Sequence, residues 1–92
     1  MLTITDRIML VDLSNFSLGA TITVYEAGII MLRHTVLDVS EVEEKVIEIA
    51  DEMEVEDVFI RPLAISDRAK TLEDFENSLV SKNIDKINFH ML

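Results

Sequence analysis

The chain has 92 residues, no cysteine and a formal net charge of −10. This length suffices for one hydrophobic core, so we expect a single domain over residues 1–92. Without cysteine, neither disulfides nor thiolate metal sites can stabilise the fold, as is typical of proteins from reducing compartments. The apolar runs are shorter than the roughly 20 residues of a membrane span, and no basic segment followed by an apolar stretch opens the sequence. We therefore expect a soluble, cytoplasmic protein without membrane contact.

The negative charge is concentrated in residues 38–57. That segment holds ten Asp and Glu residues and one basic residue, Lys45, a balance of −9. The remainder has eight acids and seven bases and is nearly neutral. The acidic segment would repel phosphate backbones, so nucleic acid is not favoured as a partner.

Three strands are predicted in the first third of the chain. Residues 4–13 contain an unbroken apolar run, which is typical of a central strand covered on both faces. Residues 20–25 alternate between apolar and polar types and predict a half-exposed strand. A short connection containing Gly28 leads to a third strand over residues 29–37, because glycine takes the positive φ that hairpin turns require. This order predicts an antiparallel meander.

An amphipathic helix is predicted next. Ser40 and Glu43 have the S-x-x-E spacing of a capping box, in which each side chain bonds the other residue's backbone N–H. The apolar residues that recur at helical spacing behind them are Val42, Val46, Ile49, Ala50 and Met53. The sequence therefore predicts a helix that buries this stripe against the sheet.

The second half of the chain continues the alternation of strands and helices. Residues 58–63 predict a fourth strand, which Pro62 ends or interrupts because it lacks a backbone N–H. Thr71 and Asp74 are residue types that cap helices, and a second helix is predicted from there to about residue 83. The residues predicted to face inward from this helix are Leu72, Phe75, Leu79 and Val80. Apolar alternation over residues 84–91 predicts a last strand.

The complete order is β-β-β-α-β-α-β, which predicts an α/β fold with one mixed sheet. A right-handed strand-helix-strand crossover would place the fourth strand parallel to the first, with two helices covering the sheet. The common catalytic motifs are absent: there is no glycine-rich phosphate loop, no H-E-x-x-H and no G-x-S-x-G. His34 and His90 lie in predicted strands with no second ligand at metal-binding spacing, so ordinary surface roles are favoured.

One group of segments resembles a known family. Residues 11–20, VDLSNFSLGA, resemble the start of the ribonuclease H-like family, especially its retroelement branch, where an aspartate ends the first strand and a Gly-Ala pair opens the second. Residues 43–50 resemble that family's first helix, residues 65–70 resemble the segment carrying its next aspartate, and the element order is similar. The resemblance implies a nuclease site in which Asp12, Glu43 and Asp67 are the catalytic, Mg²⁺-binding carboxylates.

Two-metal phosphoryl chemistry needs such residues, because bridging carboxylates hold two ions about 3.5 to 4 Å apart on the attacking and leaving oxygens. Arg61, Arg68 and Lys70 would then meet a phosphate backbone near the same strand end. Each carboxylate also has a structural interpretation, which we favour. Asp12 accepts hydrogen bonds from the following turn, Glu43 belongs to the capping box, and Asp67 caps a turn after Ser66.

The acidic helix likewise has two interpretations. A solvated outer face explains its outward acids without any partner. These acids are Glu41, Glu44, Glu48, Asp51 and Glu52. Their density also costs like-charge repulsion, as between Glu44 and Glu48, which a basic partner would relieve.

These patterns favour a non-enzymatic protein-interaction or regulatory domain that uses no cofactor. Its expected partner is a second copy of itself, in a homo-oligomer, or a basic protein surface that docks on the acidic helix. Half of the residues are apolar while the interior is limited, which favours self-association through the remaining apolar surface. Two alternatives stay open: a Mg²⁺-dependent ribonuclease H-like nuclease or its inactive relative, and an acidic inhibitor of a nucleic-acid-binding protein.

Overall fold

The structure, a computed structural model, describes residues 7–15 and 19–92. Within these ranges the strands are β1 (Arg7–Asp12), β2 (Ala20–Glu26), β3 (Ile29–Val36), β4 (Asp57–Arg61) and β5 (Asn88–Met91). The α-helices are α1 (Val42–Glu52) and α2 (Arg68–Ser81), preceded by the 3-10 turns Val39–Glu41 and Ile65–Asp67. The predicted β-β-β-α-β-α-β order is confirmed; the predicted start of the first strand at residues 4–6 lies outside the described residues.

The strands form one mixed sheet in the order β3-β2-β1-β4-β5. β1 and β2 pair antiparallel, as do β2 and β3, whereas β4 is parallel to both β1 and β5. The central position of β1 and its parallel pairing with β4 are both as predicted. The two edges of the described sheet are therefore β3 and β5.

Burial alternates along the central strands. Two rows of side chains across the sheet are fully buried, Met9 between Val24 and Val58, and Val11 between Ile22 and Ile60. Ile8 and Leu10, at the intervening positions of β1, are only half-buried. The prediction of a strand covered on both faces is wrong, because α1 and α2 both pack on the face that carries Met9 and Val11.

The apolar stripe of α1 joins this core. Val42, Val46, Ile49 and Ala50 are buried in it, and Met53 packs against it, as the helical spacing predicts. Burying a valine or isoleucine side chain contributes about 1.5 to 3 kcal/mol. This stripe therefore holds the acidic helix on the sheet.

The start of α1 differs from the predicted capping box. Ser40 lies inside the preceding 3-10 turn, where its backbone N–H and its hydroxyl donate to Asp38 Oδ1 at 3.0 and 2.8 Å. The residue that caps α1 is Glu41, whose side chain makes no capping hydrogen bond. The prediction of a capping box is therefore wrong. Asp38 accepts both hydrogen bonds that Ser40 donates, so Glu43 is not needed as an acceptor for the Ser40 N–H.

The second helix begins earlier than predicted. α2 starts at Arg68, and the Thr71 hydroxyl donates to the Asp67 carbonyl at 2.7 Å inside the first turn instead of capping it. Phe75 and Leu79 are buried as predicted, but Val80 is 76% exposed, so its predicted inward position is wrong. The last strand is also shorter than the apolar alternation suggests, and Ile87 packs on the core from the loop before it.

Glycine is required where the chain enters β2. Gly19 has a φ of +90°, and a Cβ there would lie 2.7 Å from the backbone oxygen of Val36. In the hairpin between β2 and β3, Ala27 and Gly28 both have positive φ, at 52° and 79°, as two-residue hairpin turns require. Gly28 faces open space, so only its backbone conformation favours glycine there.

Candidate functional site

Asp12 lies at the C-terminal end of β1, beside Arg61 at the end of β4. Its Oδ1 accepts hydrogen bonds from the Ser14 hydroxyl at 2.5 Å and from the Ser14 N–H at 2.9 Å, while Oδ2 lies 3.4 Å from Arg61 Nη1. The Ser14 hydroxyl is the main cause that lowers the pKa of Asp12. Partial burial opposes this shift, and the Ser14 N–H and the Arg61 guanidinium add to it. The structural interpretation of Asp12, as an acceptor for the following turn, is confirmed.

Glu43 and Asp67 line one cavity, which we call the helix-start cavity. It has a volume of about 270 Å³ and lies between the first turns of α1 and α2. Its apolar lining comes from Leu13, Val39, Val42, Leu63 and Phe75. The only lysine that lines it, Lys70, lies 3.8 Å from Asp74. Neither Glu43 nor Asp67 forms an ion pair with any described residue. The cavity therefore has an apolar floor and a negative rim.

The three carboxylates to which the ribonuclease H resemblance points have different surroundings. Glu43 and Asp67 share the helix-start cavity, whereas Asp12 does not line it and is held by Ser14 and Arg61. Across residues 7–15 and 19–92, no group of three or more His, Cys, Asp or Glu side chains is placed to hold a metal ion. The fold thus gathers two of the three predicted ligands and commits the third to other contacts.

The basic residues that the resemblance would place near phosphate are also partly committed to carboxylates. Arg61 contacts Asp12, and Lys70 contacts Asp74. Arg68, the first residue of α2, is half-buried. Two of these three basic residues are therefore paired with carboxylates, whereas Arg68 forms no ion pair with any described residue.

The five acids predicted to face outward from the acidic helix are exposed, and we call them the acidic face. They are Glu41, Glu44, Glu48, Asp51 and Glu52. Lys45 lies 3.6 Å from Glu48, and Lys82 of the α2 C-terminus lies 3.9 Å from Glu44. The other three acids form no ion pair with any residue that the structure describes. Exposed pairs contribute no more than about 1 kcal/mol, so the face remains strongly negative in the folded chain.

Exposed apolar side chains beside the cavity were not predicted from the sequence. Leu37, Val39, Leu63 and Ile65 are 79%, 48%, 52% and 83% exposed, and all four lie in the loops that lead into α1 and α2. Val39 and Leu63 also line the helix-start cavity. Leu37 and Leu63 were predicted as the last residues of strands, but β3 ends at Val36 and β4 ends at Arg61, so both side chains lie beyond the sheet.

His90 has a partner that sequence spacing does not reveal. Its Nε2 lies 2.9 Å from Asp57 Oδ1, and its ring stacks on Phe59 with a centroid distance of 4.7 Å. Phe59 is the register partner of His90 on the neighbouring strand β4. His34 is exposed on β3. Both histidines therefore have the ordinary surface or edge positions that were predicted.

The chain matches no family model, and neither a curated protein nor a solved structure matches it. Among the helices that the structure describes, none combines the length and the apolar character needed to cross a membrane.

Proposed function

We propose that the chain is a non-enzymatic protein-interaction domain that binds a basic, amphipathic protein segment on the acidic face of α1 and in the helix-start cavity. The observation that carries this proposal is that exposed carboxylates and an apolar cavity occur together at the first turn of α1, where Val42 and Glu43 line the cavity and Glu41 and Glu44 are exposed. The proposal also includes self-association, through a different surface.

Part of the acidic charge of α1 is unfavourable for the helix, although Glu43 and Glu44 in its first turn face the positive end of the helix dipole. Glu44 and Glu48 repel each other at i,i+4, and the last turn holds Asp51 and Glu52 without a basic residue. Acids at a helix C-terminus face the negative end of the helix dipole, at a cost of about 0.3 to 1 kcal/mol each. A basic partner would relieve both effects, which supports a docking role for these residues.

The cavity supplies the apolar part of such an interface. Pockets for drug-sized ligands have volumes of about 300 to 1,000 Å³, so a cavity of about 270 Å³ fits one or two apolar side chains better than a whole cofactor. Interfaces commonly place an apolar anchor in a pocket and surround it with charges that select the partner. Here Glu43 and Asp67 on the rim would select a segment with lysine or arginine beside its apolar anchor.

The probe that tests this proposal is a synthetic helical peptide with leucines on one face and lysines on the other. A chain of charge −10 attracts any cation, so binding alone is not informative. We expect Glu44→Lys with Glu48→Lys to weaken peptide binding by at least about tenfold in calorimetric titration. The matched control is Glu73→Lys with Glu76→Lys, which makes the same charge change at exposed positions of α2. Equal weakening by both pairs would reduce the effect to net charge and overturn the proposal.

The apolar anchor needs its own comparison. Leu63→Ser removes an exposed side chain that lines the cavity, and Leu92→Ser removes one of similar exposure beside β5, outside the cavity. We expect the first variant to weaken peptide binding several-fold and the second to leave it unchanged. An equal effect of the two variants would remove the cavity from the proposed interface.

A further inference from the structure

We infer that a second copy of this chain docks on the outer edge of β3, so that two sheets join antiparallel across a twofold axis. This inference rests on the self-association that the proposed function includes, and it names the surface responsible. The surface is the β3 strand itself, and it is separate from both the acidic face and the helix-start cavity.

The first observation is the length of an open sheet edge. β3 spans eight residues, Ile29–Val36, and is the longest strand within residues 7–15 and 19–92. In the described sheet it pairs only with β2, so the backbone N–H and C=O groups on its other side are open to another strand. The opposite edge, β5, has four residues. β3 is therefore the edge that is long enough to support a new strand pair.

The second observation is that β3 has only part of the usual protection of a sheet edge, namely one charged residue, Arg33, and a register irregularity near its start. Natural edge strands are commonly short or carry lysine or proline, whereas β3 has neither residue. Ile29, Ile30 and Met31 are consecutive and 66%, 46% and 46% exposed, so apolar surface is present on both faces of the strand. The register with β2 shifts between Val24 and Tyr25, opposite these residues, and pairing is regular beyond that point. An apolar edge of this length is expected to be covered in solution.

The third observation is the distribution of charge, which selects a second copy as the occupant. Residues 27–37 contain no Asp or Glu and one arginine, Arg33. Glu26, just before them, is bound to Arg7 at 3.1 Å. Exposed charges farther apart than about 8 to 10 Å are largely screened at physiological salt. Two copies that pair along β3 bring together segments without Asp or Glu, whereas a basic partner finds no acid in residues 27–37 and is drawn to α1.

The geometry also limits the assembly to two copies. Antiparallel pairing of β3 with itself about a twofold axis uses the same surface on both subunits and closes the assembly. Pairing β3 with β5 would be head-to-tail and would leave half of the longer strand uncovered. The free edges of the resulting dimer are the two copies of the short strand β5.

Sedimentation equilibrium over about two decades of concentration tests the inference. We expect wild type to be a dimer, and Ile29→Lys with Met31→Lys to raise the dissociation constant at least about tenfold, since a buried interface would have to accept two charges. The matched control, Val80→Lys with Leu92→Lys, changes the net charge equally at exposed positions on α2 and beside β5, and we expect it to remain dimeric. Circular dichroism establishes that each variant is folded.

A second variant covers the case in which the double lysine substitution prevents folding. Arg33→Glu places an acid on the exposed edge of β3, and we expect it to weaken the dimer most strongly at low salt. A dimer that is equally stable in the β3 variants and in the control would overturn the inference but leave self-association in place. A monomeric wild type at every concentration would overturn the inference and the self-association part of the proposed function, while peptide binding by the acidic face is measured separately.

Discussion

The β3 side of the molecule and the α1 side are adjacent in the chain but have opposite surface chemistry. Residues 27–37 carry no acid and expose apolar side chains, whereas residues 38–57 carry ten acids and, apart from Val39, keep their large apolar side chains buried or half-buried. Net charge alone would predict that such a protein repels its own copies everywhere. Most of the net negative charge therefore lies on one side of this chain, and the other side is the one on which we propose that a second copy docks.

Both sides nevertheless depend on the same core. Ile22 and Val24 of β2 and Val46 and Ile49 of α1 belong to one buried cluster. The differences between the two sides are therefore confined to exposed side chains, and substitutions can separate what each side does for stability from what it does for binding.

The largest expected effect is a loss of stability when the shared core is truncated from either the β2 side or the α1 side. We expect Ile22→Ala and Ile49→Ala each to lower the free energy of unfolding by about 2 to 5 kcal/mol, because each removes buried methyl groups and leaves a cavity. Leu92→Ala, at an exposed position outside the proposed binding surfaces, is the control and should change it by less than about 0.5 kcal/mol. Urea denaturation measures all three. A loss below about 1 kcal/mol for Ile49→Ala alone would mean that the acidic side is not anchored by its apolar stripe.

The second prediction compares the two ends of the β2–β3 hairpin. Gly19→Ala combines positive φ with a contact of 2.7 Å to the Val36 oxygen, so we expect a loss of about 2 to 3 kcal/mol in the free energy of unfolding. Gly28→Ala has positive φ in open space, and we expect a loss of about 1 kcal/mol. Thermal or urea unfolding measures the difference, and equal losses would contradict the close approach of residue 19 to the end of β3.

The third prediction concerns the acidic side alone. Glu52→Lys replaces an acid with a base in the last turn of α1, and we expect it to stabilise the fold by about 0.5 to 1 kcal/mol at low salt. Glu76→Lys, at an exposed position in the middle of α2, is the control for net charge. Unfolding at two salt concentrations measures both variants. If Glu52→Lys destabilises the fold, Glu52 stabilises α1 and its position in the last turn does not favour a basic partner.

The smallest expected effect is on the pH dependence of stability, and it concerns two similar turns, one after β1 and one after β3. Asp12 accepts from Ser14 and Asp38 accepts from Ser40, and in each case the serine hydroxyl is the main cause that lowers the pKa of the aspartate. The unfolded pKa is about 3.9. A folded pKa below that value means that the stabilisation is complete above pH 4 or so and is lost as the pH falls through the lowered folded pKa.

Asp12→Asn is expected to flatten this acid-side loss of stability, by less than about 1 kcal/mol since a third of the side chain is exposed. Asp38→Asn, at an exposed position, is expected to have the smaller effect. Urea unfolding between neutral and acidic pH measures the slopes. An unchanged slope for Asp12→Asn would show that its contacts are not maintained in solution.

Hydrophobic periodicity predicts the element order of this chain because alternating and helical burial are local properties. The start of α1 was mispredicted because neighbouring side chains compete for the same backbone N–H. The N–H of Ser40 donates to Asp38 instead of Glu43. The contact between Asp12 and Arg61 arises from the parallel register of β1 and β4, which local patterns do not contain. The meeting of Glu43 and Asp67 in one cavity likewise depends on how two helices pack.

Hydrogen–deuterium exchange at increasing protein concentration tests most directly whether a second copy binds at β3 and not at the acidic face of α1. We expect the backbone amides of β3 to exchange more slowly as the concentration rises over about a hundredfold range, while those of α1 and β5 keep a constant rate. Protection that develops in α1, or β3 amides whose exchange ignores concentration, would contradict the division between a self-associating strand edge and an acidic face turned to other partners.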